Sequence, residues 1–198
     1  MPRASAMDPE ARRAAILAVA RRQFATQGFH RTGIADIVAE AGVARGTFYR
    51  YFESKRAIFG HVLDEMMAEV VSVVRPIDIA APIAPQVFAN LDRLVRAITA
   101  QDVCRVLFTE AVGIDAEADD AVLAFYHHAL ARIEAALRTG QQLGVVQPGD
   151  VALKARCLLG LIKEPVVQAS LEGRAVDTDL LVQEILGLLQ HGLLITRR

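Results

Sequence analysis

Apolar residues along this chain recur at intervals of three and four, and β-branched runs of period two are missing. That spacing gathers them on one face of an α-helix. Ile16, Leu17, Ala20 and Phe24 mark a first helix. Asp8 is expected to cap it, Pro9 suits its first position, and Gly28 ends it before Phe29 packs back. Ile34, Ile37, Val38 and Ala41 mark a short second helix, with Asp36 and Glu40 turned away from the apolar face. Gly42 follows, where a chain leaves a helix through the left-handed conformation that glycine adopts without a Cβ clash. Val43 is expected to tuck back as a plug. A third short helix runs from near Ala44 through Tyr51, and Phe48 and Phe52, four apart, share its buried side. Ser54 opens a fourth helix, which Ile58, Phe59, Val62, Met66 and Val70 carry to about Val74.

Residues 75–85 hold three prolines and form the best candidate boundary. Beyond them Val87, Leu91, Leu94, Val95 and Ile98 predict a fifth helix. Asp102, Val103, Val106 and Leu107 predict a sixth. Residues 113–120 read as a turn into a long seventh helix carrying Val122, Phe125, Ala129, Ile133 and Leu137 and stopping near Gly140 to Gly144. An eighth helix follows from Val151 toward Leu171, with Pro165 inside it and a kink expected there. A ninth runs from near Thr178 to about Thr196. The expectation is an all-α protein of about nine helices: an N-terminal three-helix head with a C-terminal helical bundle. The division is 1–56 for the head, 54–74 for a connecting helix and 75–198 for the body.

The second and third predicted helices, joined by a tight glycine turn, form a helix-turn-helix whose second helix suits a DNA major groove. Residues 32–55 resemble the DNA-binding domain of the TetR family of bacterial transcriptional regulators. The matching positions are Thr32, Ile37, Ala41, Gly42, Val43, Gly46, Thr47, Phe48, Tyr49, Tyr51, Phe52, Ser54 and Lys55. Gly33 and Ala44 depart from the pattern, since the family often has Ser or Thr there as a helix cap. Losing such a cap costs about 1 kcal/mol. The resemblance implies a ligand-responsive regulator, more often a repressor, that binds a double-stranded operator as a homodimer and is released by a small-molecule effector. It is strong over the head and only architectural over the body.

Charge distribution agrees with that reading. The chain of 198 residues has a net charge of -1, but residues 1–56 hold ten Lys and Arg against five Asp and Glu. The remainder holds twelve against eighteen, so a basic quarter sits on an acidic body. Hydrophobic residues make up 53% of the sequence, enough for a substantial core. Cys104 and Cys157 lie in apolar helical contexts and are expected as reduced, buried thiols. No apolar run approaches the ~18 residues that span a bilayer, and the start of the chain lacks a signal-peptide core. The expected location is the cytoplasm, with no membrane partner.

Contacts with DNA divide by chemistry. Thr32, Tyr49 and Lys55 are expected on backbone phosphates, with the N–H groups that begin the second and fourth helices. Arg45 and Arg50 are expected at base edges, since a guanidinium pairs in bidentate fashion with guanine. Gly46 would allow close approach, and the Thr47 methyl could meet a thymine methyl. Tyr51 suits either contact or core. In the body, Cys104, Phe108, Glu110, Phe125, Tyr126 and His128 are the effector candidates. The ninth helix is apolar over more than one stripe, and a helix wetted on one face needs only one. Leu181, Ile185, Leu188 and Leu189, with Leu158, Leu159, Ile162 and Val166 of the eighth helix, are therefore the expected dimer interface. Adjacent His127 and His128 cannot chelate one metal as an i, i+4 pair would. No GxSxG, HExxH, CxxC or glycine-rich phosphate loop points to an enzyme, a metal or a cofactor. A helical protein-interaction module is the stronger rival class. It leaves unexplained why Arg45, Tyr49, Arg50 and Lys55 gather around a glycine turn.

Overall fold

The computed structural model describes residues 8–100 and 116–192. The described residues form eight α-helices and no strand. They are α1 (Pro9–Gln27), α2 (Ile34–Glu40), α3 (Arg45–Tyr51), α4 (Lys55–Ser72), α5 (Ile83–Thr99), α6 (Ala116–Gln142), α7 (Val151–Leu171) and α8 (Thr178–Gly192). The sixth helix expected from Asp102 lies outside the described residues, so the expected seventh, eighth and ninth helices are α6, α7 and α8.

Local sequence accounts for the ends of these helices. Asp8 caps α1 by accepting the Ala11 N–H at 3.4 Å, and Gly28 closes it with φ 83°. The α2–α3 turn is a Schellman closure. The Val43 N–H reaches back to the Val38 carbonyl at 3.1 Å and the Gly42 N–H to that of Ala39 at 3.3 Å. Gly42 takes φ 65° at the pivot. Ser54 caps α4 through a 3.0 Å bond from the Ala57 N–H. One expectation fails: the stretch read as a turn up to Asp120 is helical from Ala116 onward. Alanine and glutamate are good helix formers, and carboxylates suit the positive end of a helix. Pro165 lies within α7, whose helical run continues on both sides of it.

The head closes around phenylalanines. Ile16, Leu17, Ala20 and Phe24 of α1 are almost fully buried against Phe29, Ile37, Phe48, Phe52 and the α4 residues Ile58, Phe59 and Val62. Phe59 is the hinge of this packing. Its ring meets Phe24 edge-on at 5.1 Å and Phe29 at 4.8 Å, spacings that suit aromatic quadrupoles. The same core continues through Leu63, Met66 and Val70 to Val166 and Val167 of α7. Helix α4 thus belongs to the head at one end and to the body along its length. A second core joins Val95 of α5, Ile162 of α7 and Val182, Ile185 and Leu189 of α8. A third, smaller one unites Leu137, Val146 and Ala155 where α6 turns into α7.

Polar ties link these helices. Arg21 of α1 grips Glu69 of α4 with two parallel bonds of 2.5 and 2.9 Å. Glu40, at the end of α2, accepts from Arg22 and from the buried Gln23 of α1. Asn90 of α5 clamps the chain at Arg75, accepting its N–H at 2.9 Å and donating to its carbonyl at 2.8 Å. Those two bonds pin the proline-rich connection to α5.

Candidate nucleic-acid interface

Helix α3 is short, and its sequence divides it cleanly. Phe48 and Phe52 are buried, while Arg45, Gly46, Tyr49 and Arg50 are exposed. The Arg45 guanidinium lies 5.8 Å from the centre of the Tyr49 ring, which in turn stands edge-on to Phe48 at 5.4 Å. A Cβ at Gly46 would meet nothing within 4 Å. The glycine is therefore not demanded by packing inside the chain. Thr47 and Tyr51 are half-buried, and Tyr51 packs against the head core.

Ala44 caps α3 without a side-chain bond. Gly33, which starts α2, is compensated differently: its N–H donates to Asp36 Oδ2 at 3.0 Å. A Cβ on Gly33 would lie 2.8 Å from that same oxygen. The glycine and the carboxylate therefore form one device, while the oxygen that a serine or threonine would offer to the first-turn N–H groups is absent.

A shallow depression beside α3 is lined by His30, Arg31, Thr32, Gly33, Ile34, Ala35, Asp36, Arg45 and Lys55. Lys55 is half-buried. Its Nζ donates to the Phe29 carbonyl at 3.0 Å and rests 4.3 Å from the Phe29 ring centre. The ammonium is held in place with donor capacity left over, since it carries three N–H groups. Thr32 requires a correction. It is 1% exposed, and its hydroxyl donates to the Gly28 carbonyl at 2.7 Å. It braces the α1–α2 connection and presents no donor to a phosphate. Arg31, not among the residues expected at the interface, stands on this rim with its Nε donating to the Gln27 carbonyl at 2.7 Å. Arg56, next to Lys55, is ion-paired with Asp120 of α6, which ties the first turn of the connecting helix to the body.

In the body, Phe125 is half-buried against the main core. Tyr126 is largely buried, and its hydroxyl has no hydrogen-bond partner among the described residues. Burial pushes its pKa up to about 12. His128 is exposed, so it does not line the interior as expected, and its neighbour His127 is exposed as well. The amphipathic turn of α6 that buries Phe125 carries the two histidines outward. Cys104, Phe108 and Glu110 lie outside the described residues.

The expected dimer surface is also redrawn. Ile162, Val166, Ile185 and Leu189 are buried within the chain, in the cores described above. Leu158 and Leu181 pack partly against those cores, and Leu159 is half-buried. Leu188 and Leu180 of α8 are exposed, together with Leu153 and Leu171 of α7, which were not among the expected residues. Helix α8 does have two apolar stripes, but the first is used internally. Cys157 is exposed and free, against the expectation of a buried thiol.

No helix among the described residues is long and apolar enough to cross a membrane. Among them, no group of three His, Cys, Asp or Glu could hold a metal ion.

Comparison with known proteins matches residues 16–62 to the bacterial regulatory proteins of the tetR family. The HTH-type transcriptional repressor SCO4008 of Streptomyces coelicolor is 32% identical over 145 residues, covering 72% of this chain and 71% of that protein. Among solved structures, the regulator FadR of Bacillus subtilis in complex with stearoyl-CoA superposes with a TM-score of 0.76 at 23% identity, covering 89% of this chain and 96% of that one. A Saccharomonospora viridis protein solved in complex with choline gives 0.70 at 25% identity, covering 96% of this chain and 100% of that one. The all-helical fold, with its helix-turn-helix head, is that of a DNA-binding transcriptional regulator. Within that class, the chain belongs to the TetR family of bacterial regulatory proteins.

Proposed function

We propose that this regulator is a repressor that binds a pseudo-palindromic operator as a homodimer and leaves it when a small molecule occupies the body. The observation that carries the proposal is the α3 face: Arg45, Gly46, Tyr49 and Arg50 stand exposed on a base of buried Phe48 and Phe52. Arg45 and Arg50 read base edges in the major groove. Lys55, Tyr49 and Arg31 meet phosphates. One short helix reaches only a few base pairs, so two heads on two half-sites are needed for useful specificity. The exposed leucines of α7 and α8 supply the apolar surface for that pairing.

Residues 1–56 act as the DNA-binding unit and 75–198 as the effector and dimerisation unit, with α4 as the lever between them. Helix α4 packs on α1 in the head and on α5 and α6 of the body, which supports its place as the link between the two units. The repressor name of the Streptomyces relative supports the direction of control. The bound stearoyl-CoA and choline of the two structural neighbours support ligand response, and their unlike chemistry shows that the fold alone does not select a ligand. An effector acts only through different affinity for the two arrangements of the heads. Such a regulator works on DNA in the cytoplasm.

The test is selection from a random DNA library at two salt concentrations, with sequencing of the bound fraction. An inverted repeat whose affinity falls steeply with salt is the expected result. Recovery of no enriched sequence by protein shown to be free of bound ligand would overturn the proposal.

A further inference from the structure

The body contains one polar arrangement that packing does not explain. Tyr126 of α6 has its hydroxyl sealed from solvent with no hydrogen-bond partner among the described residues. Such groups are rare in native proteins, and each asks for a missing partner. Lys163 of α7 stands over the same ring, its Nζ 4.9 Å from the ring centre. It is half-buried, and no carboxylate pairs with it among the described residues. The nearest acidic residue in its helix, Glu164, bonds instead to Gln168 at 2.7 Å, and Glu134 of α6 is engaged by Arg138 at 2.6 Å. A cation kept partly from water without a counter-charge is costly unless something supplies one. A neutral hydroxyl and an ammonium therefore lie on one side-chain pair where α6 packs on α7, and neither has an acceptor among the described residues.

We infer that Tyr126 and Lys163 form the recognition point for an organic anion with an apolar body, the Tyr126 hydroxyl and the Lys163 ammonium both donating to its acidic group. The inference rests on reading the body as an effector-binding unit. The hydroxyl is a donor at neutral pH, as that of any tyrosine is, and burial moves its pKa further up. The half-buried Phe125 lies beside it, with its ring centre 5.9 Å from that of Tyr126. A ligand here bridges α6 and α7, and α6 also packs on the connecting helix α4. Its binding energy is thereby placed against the element that carries the head.

The experiment uses the full chain, freed of any bound molecule by unfolding and refolding. Decanoate, decanol, decyltrimethylammonium and 2-naphthoate are titrated by calorimetry, and operator binding is followed in parallel. At least one of the two anions is expected to bind, and decanoate is expected to bind about tenfold or more tightly than decanol, since bonds to charged groups are the stronger ones. Lys163→Met should erase that preference, and Tyr126→Phe should weaken the anions by about tenfold, with melting curves confirming that both variants fold. Equal binding of decanoate and decanol, binding of neither anion, or an unchanged preference in Lys163→Met would overturn the inference. The two readings fail separately. Lys163-dependent anion binding that leaves operator affinity unchanged supports the site and removes effector control. Release of the operator by decyltrimethylammonium or decanol alone keeps effector control and removes the anion site.

Discussion

At the scale of single residues, the exposed α3 side chains separate reading from holding. Arg45→Ala should relax the sequence preference at one position in each half-site, losing about 1–3 kcal/mol of discrimination. Library selection with the variant checks this, and uniform weakening across all sequences would assign Arg45 to phosphate instead. Glu40 gives a pH prediction. Hydrogen bonds from Gln23 and then Arg22 hold its carboxyl below the ordinary glutamate value. A depressed folded-state pKa contributes stability above the unfolded value of 4.5, and that contribution is lost as pH falls through the folded value. Glu40→Gln should therefore flatten the acid limb of the stability curve, measured by denaturant unfolding between pH 5 and 3. Tyr126 works at the other end. Its value of about 12 exceeds the ordinary 10.0, so the unfolded chain ionises first and stability declines between these two pH values. Tyr126→Phe should remove that part of the decline, and absorbance titration near the tyrosinate band should lose the phase near pH 12.

Individual elements stand on a few junctions. The α2–α3 turn depends on Gly42, whose φ of 65° belongs to the left-handed region. A Cβ there meets nothing within 4 Å, so the cost of substitution lies in the backbone alone. Gly42→Ala should destabilise by about 1–2 kcal/mol, and Gly42→Asn by less, because asparagine tolerates this conformation. Thermal unfolding of the two variants side by side checks both values. The ion pair of Arg56 with Asp120 is partly exposed, and its contribution to stability is small. Its position matters more, since it joins the first turn of α4 to α6.

The whole molecule is governed by what α7 and α8 leave uncovered. Leu153, Leu171, Leu180 and Leu188 are each more than half exposed. Leu180 and Leu188, two turns apart on α8, are the exposed pair best placed to serve the proposed pairing surface. If the proposed homodimer pairs through these leucines, Leu180→Glu combined with Leu188→Glu should give a monomer by sedimentation while leaving the helical content unchanged. Operator affinity should fall sharply, because each head alone contacts only half a site. A variant that stays dimeric would move the interface elsewhere on the chain.

Much of this protein was determined locally and was legible in the residues. Period and punctuation located the helices: Asp8, Gly28, Gly42 and Ser54 act within one turn of themselves, so their effect needs no distant partner. The division of α3 into buried phenylalanines and exposed cations follows from spacing alone. Tertiary structure decided what spacing could not. Ile185 and Leu188 look alike in sequence, yet one packs beside Val95 and Ile162 while the other faces solvent. Thr32 carries the same hydroxyl on a surface or in a core, and only the approach of the Gly28 carbonyl withdrew it from the DNA face. Tyr126 and Lys163 are 37 residues apart and share no pattern. Their meeting depends on how α6 lies against α7, and that is set by the packing of the whole bundle rather than by either helix.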